Sequence, residues 1–175
     1  MKNINWQHIK LKADTIIKPF ESEDDELNDF LFNDAKDYLA SLLSVSYLIQ
    51  TEEETIAYYC LSNDRVIKDE EEKSIWNKIN RAIANEKRRK SYPAVKIGRL
   101  AVSKKYAGMG FGNFIIQAIQ EMYINNQQQS GCRFITVDAY RNALKFYEKN
   151  NFKFLTDKDT TNETRAMYFD LKSLS

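Results

Sequence analysis

Three glycines at alternate positions, Gly108, Gly110 and Gly112, carry the most specific chemistry in this sequence. The chain has only five glycines, so three of them inside the stretch Lys104 to Gly112 form a cluster. Between a strand and a helix, such glycines let the backbone turn tightly and come close to an anion. The first unbonded N–H groups of the helix then point at that anion. The helix dipole adds a few tenths to about one kcal/mol of attraction per exposed negative charge. A pyrophosphate is the natural guest. A Walker A loop would need a Gly-Lys-Ser/Thr ending, which is absent. A dinucleotide fingerprint would need Gly-x-Gly-x-x-Gly and an acid about 20 residues on, and the three glycines do not have that spacing.

Other reaction chemistries have little support. Cys60 and Cys132 lie apart in apolar, strand-like stretches, and the only histidine, His8, is near the N-terminus. These residues give no ligand cluster for a metal and no base for a serine nucleophile. The cysteines read as small buried hydrophobes in a reducing cytoplasm. His8 reads as a surface or strand residue. No apolar run approaches the roughly 18 residues needed to span a bilayer, and Met1 to Lys12 lacks a signal-peptide core, so neither export nor insertion is expected. A net charge of +1 alone argues for no polyanionic partner. The distribution is uneven, however. Glu21 to Asp37 holds eight acids against one base, Lys36, and Lys87 to Gln120 holds eight bases and no acid. The acidic block reads as a solvated face. The basic block contains the glycine loop, which raises its chance of meeting phosphate.

The elements that must position these residues follow from periodicity. Leu27, Phe30, Leu31, Ala35, Tyr38, Leu39 and Leu42 space one helical face, an amphipathic helix of about five turns that Ser22 and Asp25 would cap. Ser44 to Thr51 and Thr55 to Ser62, parted by the polar residues Glu52 to Glu54, predict a β-hairpin. Glu70 to Arg89 returns to helix with Ile75, Ile79 and Ile83 in a stripe, and Pro93 prevents its continuation. A strand, Ala94 to Val102, leads into the glycine loop, and a long helix begins near Gly110 with Phe114, Ile115, Ala118, Ile119 and Met122 on its apolar face. Phe134 to Ala139 predicts a strand, Asn142 to Lys149 a helix, and Phe152 to Thr156 and Ala166 to Leu171 two final strands. The order β, α, ββ, α, β, α, β, α, ββ predicts an α/β (α+β) fold, a central mixed and mostly antiparallel sheet with helices on both faces. With no repeat or linker, residues 1–175 read as one domain.

Arg99-Leu-Ala-Val102 followed by Lys105-x-x-Gly108-x-Gly110-x-Gly112 resembles motif A of the GNAT acetyltransferase superfamily, with Lys105 where Gln or Arg is usual. Tyr140-Arg-Asn142-Ala143-Leu-Lys-Phe146-Tyr147-Glu-Lys-Asn-Asn151-Phe152 resembles motif B of the same family. Two motifs in order, each on the right element, are far more specific than either alone. The resemblance implies acetyl-CoA as cosubstrate, held through Leu100, Ala101, Val102, Lys105, Gly108, Met109, Gly110, Phe111 and Gly112. It also implies Tyr147 as the general acid near the CoA sulfur and a backbone N–H of the strand around Leu100 to Val102 as polariser of the thioester carbonyl. Read by periodicity alone, Tyr147 is one of ten tyrosines, packed in the core beside Phe146. Two positions depart from motif B. Tyr140 stands where an Asn is common, so that contact passes to Asn142, and Asn151 replaces a Gly whose left-handed backbone Asn tolerates next best. No residue presents itself as general base; water, a distant Glu or an already neutral amine remain open.

A narrower resemblance covers most of the chain. Phe20 to Leu31, Ile56 to Ser62 and Pro93-Ala-Val-Lys-Ile-Gly98-Arg99-Leu-Ala-Val102 are similar to the acetyltransferase toxins of bacterial toxin-antitoxin pairs. Those family members acetylate the amino group of aminoacyl-tRNA. The resemblance then implies that Lys87-Arg88-Arg89-Lys90, Lys96, Arg99, Lys104 and Lys105 bind both CoA phosphates and tRNA backbone, with Arg89, Lys96 and Arg99 as substrate contacts. The partners implied are acetyl-CoA, an amine acceptor with tRNA among the options, a small antitoxin protein and a second copy of the chain, but no membrane and no metal. The alternatives are an enzyme for a small amine or a protein amine, and a module that binds acyl-CoA or a partner without catalysis.

Overall fold

The Val-, Ile- and Tyr-rich runs form extended chain, and the polar gap at Glu52 to Glu54 closes a hairpin. The computed structural model describes residues 4–67, 76, 77, 79, 90–125 and 130–174. Its strands are β1 (Gln7–Lys10), β2 (Val45–Gln50), β3 (Thr55–Ile67), β4 (Ser91–Val102), β5 (Phe134–Tyr140), β6 (Lys153–Phe154) and β7 (Thr164–Asp170). They lie in the order β1-β2-β3-β4-β5-β7-β6. The pairs β1/β2, β2/β3, β5/β7 and β6/β7 are antiparallel, which agrees with the α/β class and mostly antiparallel sheet expected from the sequence. Chain contacts divide the molecule into two compact units, residues 1–62 with 97–121 and residues 63–96 with 122–175.

In the first unit, register decides which face each side chain takes. Leu48 stands opposite Tyr58 and Tyr47 opposite Tyr59, and successive residues of a strand point to opposite faces. Leu48, Tyr58 and Cys60 share a core cluster with Phe30, Leu31 and Ala35. Those three belong to the helical segment of α1 (Asp25–Asp29), a π-helical turn (Phe30–Asp34) and α2 (Ala35–Ala40). The Tyr58 hydroxyl donates to the Leu27 carbonyl at 2.7 Å and pins this segment to the sheet. On the other face, the Tyr47 and Tyr59 rings stack 5.0 Å apart beside His8. Phe114 of α3 (Phe111–Asn125) meets the His8 ring edge-on at 5.8 Å. Helices thus cover both faces of the sheet within this unit.

Two details of the first helix differ from the sequence-based expectation. The N-cap is Asp24, whose carboxylate accepts from the N–H groups of Glu26 and Leu27 at 2.9 and 3.2 Å. Ser22 lies two residues too early for that role, and its buried hydroxyl donates instead to Asn28 Oδ1 at 2.9 Å. Nor is the helix one run to Leu42. It is broken by the π-helical turn and ends at Ala40, because the chain must reach β2 within a few residues. The Leu42 N–H bonds the Leu39 carbonyl at 3.1 Å and the Leu43 N–H bonds the Tyr38 carbonyl at 2.9 Å. This is the Schellman arrangement, with Leu42 in the place that glycine usually takes. Leu42 accordingly has φ 58° and is 92% exposed.

In the second unit, Val66, Tyr92, Ala94, Phe134 and Tyr168 form a core with Trp76 and Ile79. Most of the expected helix Glu70 to Arg89 lies outside the described residues; residues 76, 77 and 79 are helical and Ile79 is buried. Pro93 falls inside β4, where its carbonyl accepts the Arg133 N–H at 2.9 Å. The last two strands are Lys153–Phe154 and Thr164–Asp170, and β7 enters between β5 and β6. The short helix α4 (Leu144–Lys149) lies between β5 and β6 in the chain.

Leu42→Gly should stabilise the protein by about 0.5–1 kcal/mol, since removing left-handed strain outweighs the flexibility that glycine adds and almost no packing is lost. Denaturant unfolding of the two proteins measures the difference.

Candidate active site

The glycine loop begins where two backbone hydrogen bonds fix the end of β4. The Ser103 N–H donates to the Ile56 carbonyl at 2.8 Å and the Lys104 N–H to the Glu21 carbonyl at 2.9 Å. A 3-10 turn, Lys104–Tyr106, follows. Gly108 and Gly110 then take φ 74° and 91°, backbone that a side chain would strain. The helical ladder of α3 opens with the Phe114 N–H on the Gly110 carbonyl at 3.0 Å. The N–H groups of Phe111 and Gly112 precede that bond, as the first donors of a helix must. Strand, left-handed turn and helix N-terminus follow one another in the order read from the spacing, a geometry in which backbone N–H groups are free to face an anion.

Around that cradle, Leu100, Ala101 and Val102 are the last residues of β4, Met109 is exposed at the turn, and the Phe111 side chain is buried at the start of α3. Gly98 serves packing instead. A Cβ there would lie 3.1 Å from Cys60 Sγ. Cys60 and Cys132 are both free, and burial raises both thiols, Cys132 to about 11, so they are protonated at neutral pH. His8 Nε2 lies 2.9 Å from the Tyr59 hydroxyl, and burial lowers its pKa. The lone histidine therefore sits on β1 as a neutral strand residue at pH 7.

Four cations of the basic block have acidic partners. Lys104 Nζ pairs with Glu21 at 2.7 Å, Lys105 Nζ pairs with Glu54, and Lys96 Nζ pairs with Asp138. Arg99 Nη2 reaches Glu26 at 3.3 Å while its guanidinium lies 4.0 Å from the centre of the Phe30 ring. Glu21 and Glu26 come from the acidic block and stay exposed, in keeping with its reading as a solvated face, while each also meets a base of the basic block. Hydrogen bonds from Lys104 and Lys105 hold the Glu21 and Glu54 carboxyls below the usual carboxylate range. The same bonds raise the two lysines. Arg89 lies outside the described residues, and Lys90 is exposed.

Tyr147 sits in α4, 6% exposed, its ring edge-on to Phe146 and Phe152 at 5.0 and 5.2 Å. Burial pushes its phenol well above the ordinary tyrosine value. The helix ends in a second Schellman turn. The Phe152 N–H donates to the carbonyl of Tyr147 itself at 3.0 Å, and the Asn151 N–H donates to the Glu148 carbonyl at 2.9 Å. Asn151 has φ 64°, the left-handed backbone expected where motif B has glycine. Asn142 is exposed in the 3-10 turn Arg141–Ala143, just after Tyr140 at the end of β5.

A family model for the acetyltransferase (GNAT) domain matches residues 52–171. The chain belongs to this family. Its activity class is therefore N-acetyl transfer. Solved structures share the fold over nearly the whole chain. A bacterial toxin is 14% identical with a TM-score of 0.81, covering 98% of this chain and 93% of its own. AtaT complexed with acetyl-methionyl-tRNAfMet is 19% identical with a TM-score of 0.79 and 97% coverage of both chains. A Tyr-to-Phe mutant of AtaT, bound to the C-terminus of the antitoxin AtaR and to acetyl-CoA, is 18% identical with a TM-score of 0.76, covering 97% of this chain and 96% of its own. At these identities the likeness is one of fold.

Sequence reasoning missed the acids that hold the loop of this acetyltransferase. Glu54 read as a polar turn residue and Glu21 as part of a charge run; no local signal joins either to Lys104, Lys105 or Tyr106, which lie about fifty or more positions further along. Among the described residues, no group of three or more His, Cys, Asp or Glu is placed to hold a metal ion. No helix among them is long and apolar enough to cross a membrane.

Because Asn151 is held left-handed by the Schellman turn that closes α4, Asn151→Gly should keep or slightly raise stability. Asn151→Ala should lose about 1 kcal/mol. Paired thermal melts of these two variants measure the contrast; equal melting temperatures would show that the turn carries no strain.

Proposed function

We propose that this acetyltransferase moves the acetyl group of acetyl-CoA directly to a primary amine, with Tyr147 as general acid and residues 1–175 working as one catalytic domain. The observation that carries the reading is the glycine turn at the N-terminus of α3, a preformed pyrophosphate cradle in a chain of acetyltransferase family. Backbone N–H groups from Gly108 to Gly112, with Lys105 beside them, bind the diphosphate, and Asn142 supplies the contact that motif B usually draws from another Asn. A backbone N–H among Leu100, Ala101 and Val102 meets the charge that grows on the thioester oxygen as the amine attacks the carbonyl carbon. When the C–S bond breaks, the attacking nitrogen releases its extra proton to solvent, the Tyr147 O–H protonates the departing sulfur, and the phenolate recovers a proton from solvent.

Burial keeps Tyr147 in its protonated form. A phenol raised above its ordinary value of about 10 stays protonated across the physiological range, so the donor is loaded at every turnover. The acceptor amine must lose a proton before it attacks, so the rate rises with pH toward the amine's own pKa. Tyr147 adds no falling limb below about pH 10.

For the acceptor, the toxin-like reading favours the amino group of aminoacyl-tRNA in the cytoplasm, an antitoxin protein as regulator, and a second copy of the chain as assembly partner. Its support is the shared fold of AtaT in complex with acetyl-methionyl-tRNAfMet. In that reading Arg89, Lys96 and Arg99 face tRNA phosphates. A specific observation favours a small or protein amine instead: Lys96, Arg99, Lys104 and Lys105 are each engaged by an acid, which leaves less free positive charge for a polyanion.

Thiol release from acetyl-CoA should appear with one class of acceptor among small amines, peptide amines and charged tRNAs. CoA binding with no release for any of them would sink the enzyme reading in favour of a binding module. Tyr147→Phe should lower kcat about tenfold or more with CoA affinity nearly unchanged. A limb falling between pH 8 and 10 that persists unchanged in Tyr147→Phe would remove Tyr147 from the proton transfer.

A further inference from the structure

Glu54 sits on a rigid turn. The Thr51 N–H donates to the Glu54 carbonyl at 2.9 Å, and Thr51 Oγ1 accepts the N–H groups of Glu53 and Glu54 at 3.2 and 3.1 Å. The next residue is tied as well, with the Thr55 N–H on the Pro19 carbonyl at 2.9 Å. From this platform the Glu54 carboxylate accepts a hydrogen bond from the Tyr106 hydroxyl at 2.6 Å and pairs with Lys105. Tyr106 is 7% exposed, and its ring meets Phe111, the first residue of α3, edge-on at 5.9 Å. The Tyr106 carbonyl accepts the Met109 N–H at 3.2 Å. One residue therefore connects the Glu54 turn to the glycine segment, its ring to the helix start at Phe111 and its backbone carbonyl to the turn at Met109.

We infer that Glu54 is a positioning residue for pyrophosphate binding: it locks Tyr106, and through it the glycine turn and the start of α3, with Lys105 as its counter-ion. The inference rests on the loop being the acetyl-CoA diphosphate site. Glu54 touches no reacting atom, and its carboxylate orients Tyr106 while Tyr106 orients backbone N–H donors. Such donors bind an anion well only when their directions are set beforehand, because ordering them at binding costs affinity. Lys105 keeps the carboxylate charged and, by occupying it, is less free to act as a phosphate ligand itself.

The experiment compares acetyl-CoA with S-acetylpantetheine, which keeps the thioester but has no phosphate, using the acceptor identified by the amine panel. Glu54→Ala should raise KM for acetyl-CoA about tenfold, the scale of one lost hydrogen bond to a charged group, with kcat held within about twofold. For S-acetylpantetheine, kcat/KM should stay within about twofold of the wild type, since no diphosphate is bound. Tyr106→Phe should reproduce the acetyl-CoA penalty, and the double variant should add less than about twofold more, as for two residues acting through one contact. Glu54→Gln should largely restore KM, because its amide oxygen still accepts from the Tyr106 hydroxyl. The inference is overturned if the penalty falls equally on both thioesters, if the two single effects multiply, or if Glu54→Gln is as impaired as Glu54→Ala. Wild-type protein that releases no thiol from acetyl-CoA but binds CoA by calorimetry, with the Glu54→Ala loss of affinity intact, would overturn the catalytic reading and leave the positioning role standing. Thermal melts of each variant separate misfolding from weaker binding.

Discussion

Two backbone hydrogen bonds at the end of β4, Ser103 to Ile56 and Lys104 to Glu21, set everything that follows them in the first unit. A strand that leaves its sheet must give its N–H groups new partners, and here the partners come from the start of β3 and from the segment before α1. The exit is thereby fixed in position and direction. A three-residue turn and two left-handed glycines can then deliver the chain to the start of α3 within a few residues. Were the exit free, the same glycines would make a flexible loop, and their N–H groups would have no common target. The glycine turn is held in one conformation because its entry is bonded on both sides and its interior is tied through Tyr106 and Glu54.

Charge is arranged with similar economy. The sequence keeps its acids and bases in separate blocks, yet the fold of the first unit returns Glu21 to Lys104 and Glu26 to Arg99. Exposed pairs of this kind add little to stability, because water already screens them. Their effect is directional. Each holds a long side chain in one place, and together they offset the local field of Lys104 and Arg99. Arg99 is held further by the face of Phe30, so its guanidinium is part of the helix-to-sheet packing as much as a surface charge.

Helix ends show how local rules and tertiary demands meet. Both α2 and α4 finish in a Schellman turn, and neither has glycine at the left-handed position. At α4 the residue is Asn151, which tolerates that backbone, and the turn closes on the carbonyl of Tyr147. At α2 it is Leu42, which does not, and the reason is the short path into β2. The departure at Asn151 could be read from motif B, because the residue type carries its own backbone preference. Nothing in the apolar spacing of Leu39 and Leu42 announces a stop between them. A periodic pattern reports which residues are apolar and not where the chain must turn.

The order and type of the elements, the glycine turn ahead of a helix, and the pairing of motif A with motif B were determined by the sequence itself. Each rests on local physics: side-chain period, glycine's freedom at positive φ, and the unbonded donors of a helix start. The tertiary structure alone decided which acids meet which bases, and that Asp24 and not Ser22 caps the first helix. It also decided that Gly98 is there for the sulfur of Cys60 and that Tyr106 hangs from Glu54. Those facts join residues that are distant in the chain or depend on where a helix begins to within one residue. Their energies come from proximity that only packing creates, and a linear pattern holds no record of it.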